Sequence, residues 1–242
     1  MSYEIRAMSL GEILDTGFRL VRDEFVPLVG IAATVQVPVA VLGALTQKGE
    51  FFLPALFGLL ILGLGGSPIV LAATTFAVGE VYLGRSITVG GSLRAAIGVI
   101  LPLAGTMLLY YFGVLLGLLL LIVPGIFLVL SWLLAWPIMV LEGVFGPAAL
   151  GRSYELMRGH RLRGLGATVV SWLILAIVTN IFQLVFSFVP MVGPVFSGLA
   201  SAVGTAYVSA VIVVLYFDVR CRKEAFDLEH LAQLVAAQPA PA

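Results

Sequence analysis

Residues 164–217 read GLGATVVSWLILAIVTNIFQLVFSFVPMVGPVFSGLASAVGTAYVSAVIVVLYF, 54 consecutive positions without Asp, Glu, Lys or Arg. A soluble domain is roughly half apolar and about a quarter charged, and does not tolerate such a run. Over all 242 residues the chain is 61% hydrophobic and 11% charged, with a mean hydropathy of +1.13. Its 13 basic and 13 acidic residues are too few to cover that much apolar surface, so the solvent must be lipid.

Three further uncharged windows lie upstream, at 25–47, 51–79 and 95–141. About 20 apolar residues cross a ~30 Å hydrocarbon core. The windows at 25–47 and 51–79 each suit one crossing, and the windows at 95–141 and 164–217 each suit two. Both long windows carry a turn signal near the middle: Pro124-Gly125 in one, Pro190, Gly193 and Pro194 in the other. The expectation is an all-α integral membrane protein with six transmembrane helices, at about 26–46, 52–78, 97–122, 126–141, 166–188 and 195–217. They would be arranged as three hairpins. A closed barrel would need alternating strands, which the sequence lacks.

Orientation follows from the cations. Six crossings put Arg6, Arg19, Arg22, Arg85, Arg94, Arg152, Arg158, Arg161, Arg163, Arg220, Arg222 and Lys223 on one side and Lys48 alone on the other. The positive-inside rule then places both termini in the cytoplasm. MSYEIRAMS is too polar for a cleavable signal peptide. With a single cysteine, Cys221, no intrachain disulfide is expected. The domain reading is an N-terminal amphipathic interfacial helix over 1–24, a membrane domain over 25–217, a charged amphipathic segment over 218–234 and a disordered tail over 235–242.

Charge returns abruptly after residue 217, in YFDVRCRKEAFDL (216–228). Tyr216 and Phe217 are expected at headgroup level, and Phe226, Leu228 and Leu231 are expected to return an amphipathic helix to the membrane surface. Each hairpin is also preceded by a charged, partly apolar segment: SLGEILDTGFRLVRDEF, ITVGGSLRAAIG (87–98) and FGPAALGRSYELMRGHRLRG (145–164). In the first, Ser9 and Glu12 have capping-box spacing. Its apolar face carries Leu10, Ile13, Leu14, Gly17, Phe18 and Val21. Leu10-Gly11 with Leu14 and Val89-Gly90 with Leu93 form a weak repeat.

Three acids end the even-numbered spans at the cytoplasmic boundary: Glu80, Glu142 and Asp218. A carboxylate there opposes the helix dipole, and each has a cation nearby, in Arg85, Arg152 and Arg222. Two readings stand. Either the acids snorkel to water, or acid–arginine pairs, with Arg220, form a collar that locks the hairpins together. Arg158, Arg161, Arg163 and Lys223 are then candidates for binding anionic lipid or a partner protein.

Inside the bilayer, Gln36 with Pro38 and Gly65-Gly66-Ser67-Pro68 mark expected helix breaks, and Ser131 and Thr205 fall at a similar depth, about 16 Å by helical rise. Such residues either satisfy kinks between packed helices or form a midplane site of the kind transporters use. Ser197, Ser201, Thr205 and Ser209 make one row on the last span, beside small residues at Gly198, Ala202, Ala206 and Ala210. That pattern fits close helix packing, or a polar stripe lining a pore. Gly113 and Gly117 add one GxxxG. Asn180 and Gln183 are expected to bond between helices.

No P-loop, GxSxG or HExxH pattern occurs, the two histidines are His160 and His230, and nothing points to a cofactor, a metal or nucleic acid.

MSLGEILDTGFRL, YLGRSITVGGSLRAA, PGIFLVLSWLLAWPIMVLEG, ALGRSYELMRG and YFDVRCRKEAFDLEHL, in that order, resemble the glycerophosphoryl diester phosphodiesterase membrane domain family and its stand-alone bacterial relatives. The matching positions are Pro124, Gly125, Pro137, Glu142, Gly143, Arg152, Ser153, Leu156, Gly159, Tyr216, Asp218, Arg220, Arg222, Glu224, Phe226 and Asp227. The resemblance implies a six-helix domain of the bacterial cytoplasmic membrane and assigns these residues no chemistry. In one departure, Ser131 stands where relatives often carry a basic residue. The expected function is a non-enzymatic scaffold or lipid-interacting accessory protein working through the basic collar, with membrane lipids and a protein as partners. The alternative is a small permease or lipid transporter using the midplane breaks. Membrane-bound phosphodiester chemistry is a third reading, from the resemblance alone.

Overall fold

The computed structural model describes residues 6–46, 52–186, 192–226 and 228. Lys48, Pro190, His230, Leu231 and the tail at 235–242 lie outside them, as does the Gln183 side chain. The described residues form helices and turns, with no strand among them. Six helical stretches are long and apolar enough to cross a membrane: Phe25–Thr46, Phe52–Tyr82, Ile100–Leu120, Ile122–Glu142, Arg161–Phe186 and Gly193–Glu224. This is the architecture of an all-α, multi-pass membrane protein.

Helix α1 (Leu10–Asp23) starts where its sequence says it should: Ser9 Oγ accepts from the Glu12 amide and the Glu12 carboxylate accepts from the Ser9 amide at 2.6 Å. Its buried residues are Ile13, Gly17, Leu20 and Val21, while Phe18 is exposed. Gly17 allows the closest approach, since a Cβ there would lie 2.7 Å from Val211.

Helix α2 (Phe25–Thr46) runs unbroken through Pro38. The expected break is absent because a neighbour supports that turn: a Cβ on Gly198 would sit 2.6 Å from Val37 Cα, and Gln36 Nε2 donates to Thr205 Oγ1 at 3.0 Å. The second expected interruption is present as a π-turn. Helix α3 (Phe52–Ile61) passes through a π-turn at Leu62–Gly66 into α4 (Ser67–Tyr82), and Ser67 Oγ donates to the Leu62 carbonyl at 3.2 Å. A short helix follows, α5 (Val89–Gly98), capped by Thr88.

Helices α6 (Ile100–Leu120) and α7 (Ile122–Ser131) pack on each other about Gly117 and Gly125. The turn falls at Leu121, not at Pro124-Gly125. Proline is comfortable in the first turn of a helix, where its missing N–H costs nothing, and Gly125 provides close contact rather than a bend.

After Ser131 the backbone turns through Trp132–Leu134 into a short α8 (Ala135–Pro137) and a π-turn, Ile138–Glu142, ended by Gly143 at φ 68°. Ser153 satisfies the break from α9 (Pro147–Met157): its Oγ donates to the Ser131 carbonyl and accepts from the Leu134 amide. Two long helices complete the chain, α10 (Arg161–Phe186) and α11 (Gly193–Glu224).

Helix α11 is the axis. Its small residues bring α2 and α10 close, and Val213, Val214, Leu215, Tyr216 and Phe217 are fully or almost fully buried. Tyr216 and Phe217 therefore do not face the headgroups. They lie inside a sheath, where Tyr82 stacks on Phe217 at 5.0 Å.

Candidate functional site

The polar side chains of the protein gather around the last turns of α11. Asp218 is the one buried charged residue among those described, 1% exposed. Burying a carboxylate is costly unless it is paired and hydrogen-bonded, and Asp218 has partners from three parts of the chain. The Met8 amide donates at 2.6 Å, Arg163 Nε at 2.8 Å and Arg222 Nε at 3.1 Å. Arg163 and Arg222 also both donate to the Met8 carbonyl. The backbone just before α1, the start of α10 and the end of α11 therefore meet on one residue.

A second node is built on Glu142. It accepts from the Tyr216 hydroxyl at 2.7 Å and from Arg152 Nε at 3.2 Å. Arg152 reaches on to Glu224 at 2.9 Å, and Arg220 bonds the same carboxylate at 2.9 Å. The hydrogen bond to Glu224 pushes the pKa of Arg152 above the ordinary arginine value, against the opposing effect of burial. Phe226 packs against this node: Arg220 covers its ring at 4.1 Å, and the ring lies 5.6 Å from Phe217. Leu228 is exposed.

Arg161 makes a third node without a carboxylate. Its Nε donates to Ser131 Oγ at 2.8 Å, and its guanidinium lies 4.3 Å from the Phe127 ring centre and 4.9 Å from that of Tyr154. A cation from another helix is thus brought to Ser131.

The structure brings together Glu80 with Arg85 at 2.9 Å, Glu142 with Arg152, and Asp218 with Arg222. The Glu80–Arg85 pair is the exposed one. Arg161 and Arg163, expected to face lipid or a partner, are engaged inside the protein. Arg158 and Arg94 are exposed and make no ion pair among the described residues. Lys223 donates to the Glu155 carbonyl. Glu224 and Met8 are the partners that sequence spacing missed: Met8 acts through its backbone, which no side-chain pattern reveals.

The four residues expected at the bilayer midplane separate. Gln36 and Thr205 bond each other, Ser67 is exposed and bonds its own helix, and Ser131 belongs to the Arg161 node. Asn180 bonds the Ala176 carbonyl of its own helix at 2.7 Å. No cluster of His, Cys, Asp and Glu able to hold a metal occurs among the described residues, and Cys221 is buried. Two cavities of about 490 Å³ open at the surface. One lies between α1, α10 and α11, with Phe18, Leu175 and Tyr207 in its wall and Arg22 beside it; the other lies between α6 and α9.

Comparison with family models, with curated proteins and with solved structures found no match. The resemblance to the glycerophosphoryl diester phosphodiesterase membrane domain family accordingly stands on the quoted motifs alone, and what this chain is rests on its own architecture: a helical, multi-pass membrane protein whose polar groups converge on one end of its central helix.

Proposed function

We propose that this is a non-enzymatic protein of the bacterial cytoplasmic membrane, with both termini in the cytoplasm, that acts as a lipid-interacting accessory or scaffold through its collar. The observation that carries this reading is the division of labour among the cations. Arg152, Arg163, Arg220 and Arg222 bond acids of the collar itself. Among the described residues, Arg94 and Arg158 stand exposed without an acid, and Lys223 bonds a backbone carbonyl. Internal pairs hold the collar rigid, and the remaining cations are available to phosphate headgroups. The apolar cavity between α6 and α9, with Tyr154 of the Arg161 node in its wall, suits an acyl chain. In this reading α1, α5 and α9 lie in the membrane interface.

The non-enzymatic reading rests on the sequence, which lacks a nucleophile–base pattern. The permease alternative draws less from the geometry, because Gln36 bonds Thr205 and α2 runs unbroken through Pro38, so that the π-turn at Leu62–Gly66 is the one expected interruption left to support it.

Each cation near an anionic surface contributes ~1 kcal/mol, so replacing Arg94, Arg158 and Lys223 together by Gln should weaken retention of anionic phospholipid on the order of a hundredfold. Native mass spectrometry of protein purified in mild detergent measures this. Undiminished retention of anionic lipid in the triple variant would overturn the proposal.

A further inference from the structure

We infer that α6 and α7 do not cross the membrane but form a wedge that enters the acyl chains of the cytoplasmic leaflet and returns, leaving four crossings: α2, α3–α4, α10 and α11. The occupant of this surface is the hydrocarbon of one leaflet.

The first argument is reach. Arg163 on α10 bonds Asp218 on α11, which marks a common level on these two helices. Arg161, holding Ser131, is two residues from Arg163; Tyr216, holding Glu142, is two residues from Asp218. Both ends of the stretch from Ser131 to Glu142 are therefore tied, through the Arg161 and Tyr216 side chains, to residues within two positions of that level. The stretch runs along the collar instead of through the bilayer. Only Ile122–Ser131, 10 residues, is left to project from it. At 1.5 Å per residue that is about 15 Å, half of a ~30 Å hydrocarbon core, whichever way the helix tilts. From the same level, α10 continues to Phe186 and α11 extends back to Gly193, each more than 20 residues away and long enough to cross.

The second argument is the tip. From Gly113 to Leu130 there is no polar side chain, and Leu119, Leu120, Leu121, Ile122 and Val123 are 68–77% exposed. A turn emerging into water carries polar residues, as the connection between α2 and α3 does with Gln47-Lys48-Gly49-Glu50. At the α6–α7 turn both backbone groups of Leu121 are paired within the hairpin: its amide donates to the Gly117 carbonyl at 3.1 Å and its carbonyl accepts from Gly125 at 3.4 Å. Such internal pairing lowers the cost of placing the turn in hydrocarbon.

The third argument is the base of the hairpin. Tyr110 lies 5.8 Å from Trp132 and 5.4 Å from Tyr111, and Tyr154 lies 6.2 Å from Phe127. Tyr and Trp collect at the level where chains meet headgroups. Because the wedge returns to the side it left, it scatters none of the arginines, and the charge count that supports six crossings supports four equally well.

The test uses the full-length chain carrying Cys221→Ser, with single cysteines introduced as Leu121→Cys, Leu119→Cys and, as an outer-side control, Lys48→Cys. An impermeant maleimide should modify the Lys48→Cys variant in intact cells and leave both hairpin variants at least an order of magnitude slower, in intact cells and in inverted vesicles alike. A fluorophore on the hairpin cysteines, in vesicles, should be quenched most by lipids brominated near the chain ends. Modification of the Leu121→Cys variant from outside at the rate of the control would mean a full crossing and overturn the inference. So would the absence of chain-end quenching. Cross-linking of the Leu121→Cys variant between copies would make the surface a protein interface and overturn it equally. None of these results depends on which lipid the collar binds.

Discussion

Helix α11 and the α6–α7 hairpin are similarly apolar stretches of sequence, and the fold treats them oppositely. In α11, 67% of the most apolar stretch is buried inside the protein; in α6 the figure is 17%. The difference lies in side-chain size. α11 places Gly198, Ala202, Gly204, Ala206 and Ala210 toward its neighbours, so that backbones meet backbones. α6 is leucine-rich and uses Gly113 and Gly117 only to receive Trp132 and α7. Hydropathy reports what lipid will accept. It does not report what other helices can reach.

The buried end of α11 also carries charge, and the hairpin carries none. The largest effect should come from that contrast. Asp218→Asn leaves Arg163 and Arg222 facing a neutral, buried amide, and removing one partner of such a group costs about 3–5 kcal/mol. A fall in the thermal unfolding midpoint in detergent checks it. An unchanged midpoint would mean the α11 end is not held by its charges.

Truncation should separate the two regions next. Leu215 is fully buried, so Leu215→Ala should cost about 2–5 kcal/mol. Leu119, 73% exposed, has only lipid or detergent to lose, and Leu119→Ala should stay within about 0.5 kcal/mol. The pair of unfolding midpoints measures the contrast directly, and equal losses would erase it.

The smallest effect concerns the α1 cap. Bonding to the Ser9 amide, and then to Arg6, lowers the Glu12 carboxyl from 4.5 to about 2. The stabilisation is complete above the ordinary carboxylate value and is lost as pH falls toward the lowered one. Hydrogen exchange of the first-turn amides of α1 should therefore lose protection between pH 5 and pH 3, by roughly the contribution of one exposed cap. The Glu12→Gln variant should show no such pH dependence. A parallel loss in both proteins would dissociate the cap from Glu12.

Much of this was readable from residues alone. Ser9 and Glu12 form their capping box because it is local, three residues apart. Asp218 and Arg222 pair because four residues make one helical turn. Other expectations treated each span as a straight rod without neighbours. Ser131 joins the Arg161 node and not Gln36 and Thr205 because the chain bends at Trp132–Leu134, and Pro38 does not break α2 because Gly198 and Thr205 lie against that turn. Ser153, which closes the bend, comes from 19 residues beyond Leu134, and no periodicity announces it.

The sequence by itself determined the helical class and the apolar stretches long enough to cross a membrane, since both depend on summed transfer energies along a segment. Tertiary structure alone decided which apolar helix became the buried axis, which arginines were consumed by Asp218, Glu142 and Glu224, and how far the α6–α7 hairpin projects. Those outcomes depend on which backbones approach closely and where a segment is pinned, and such contacts join residues far apart in the chain.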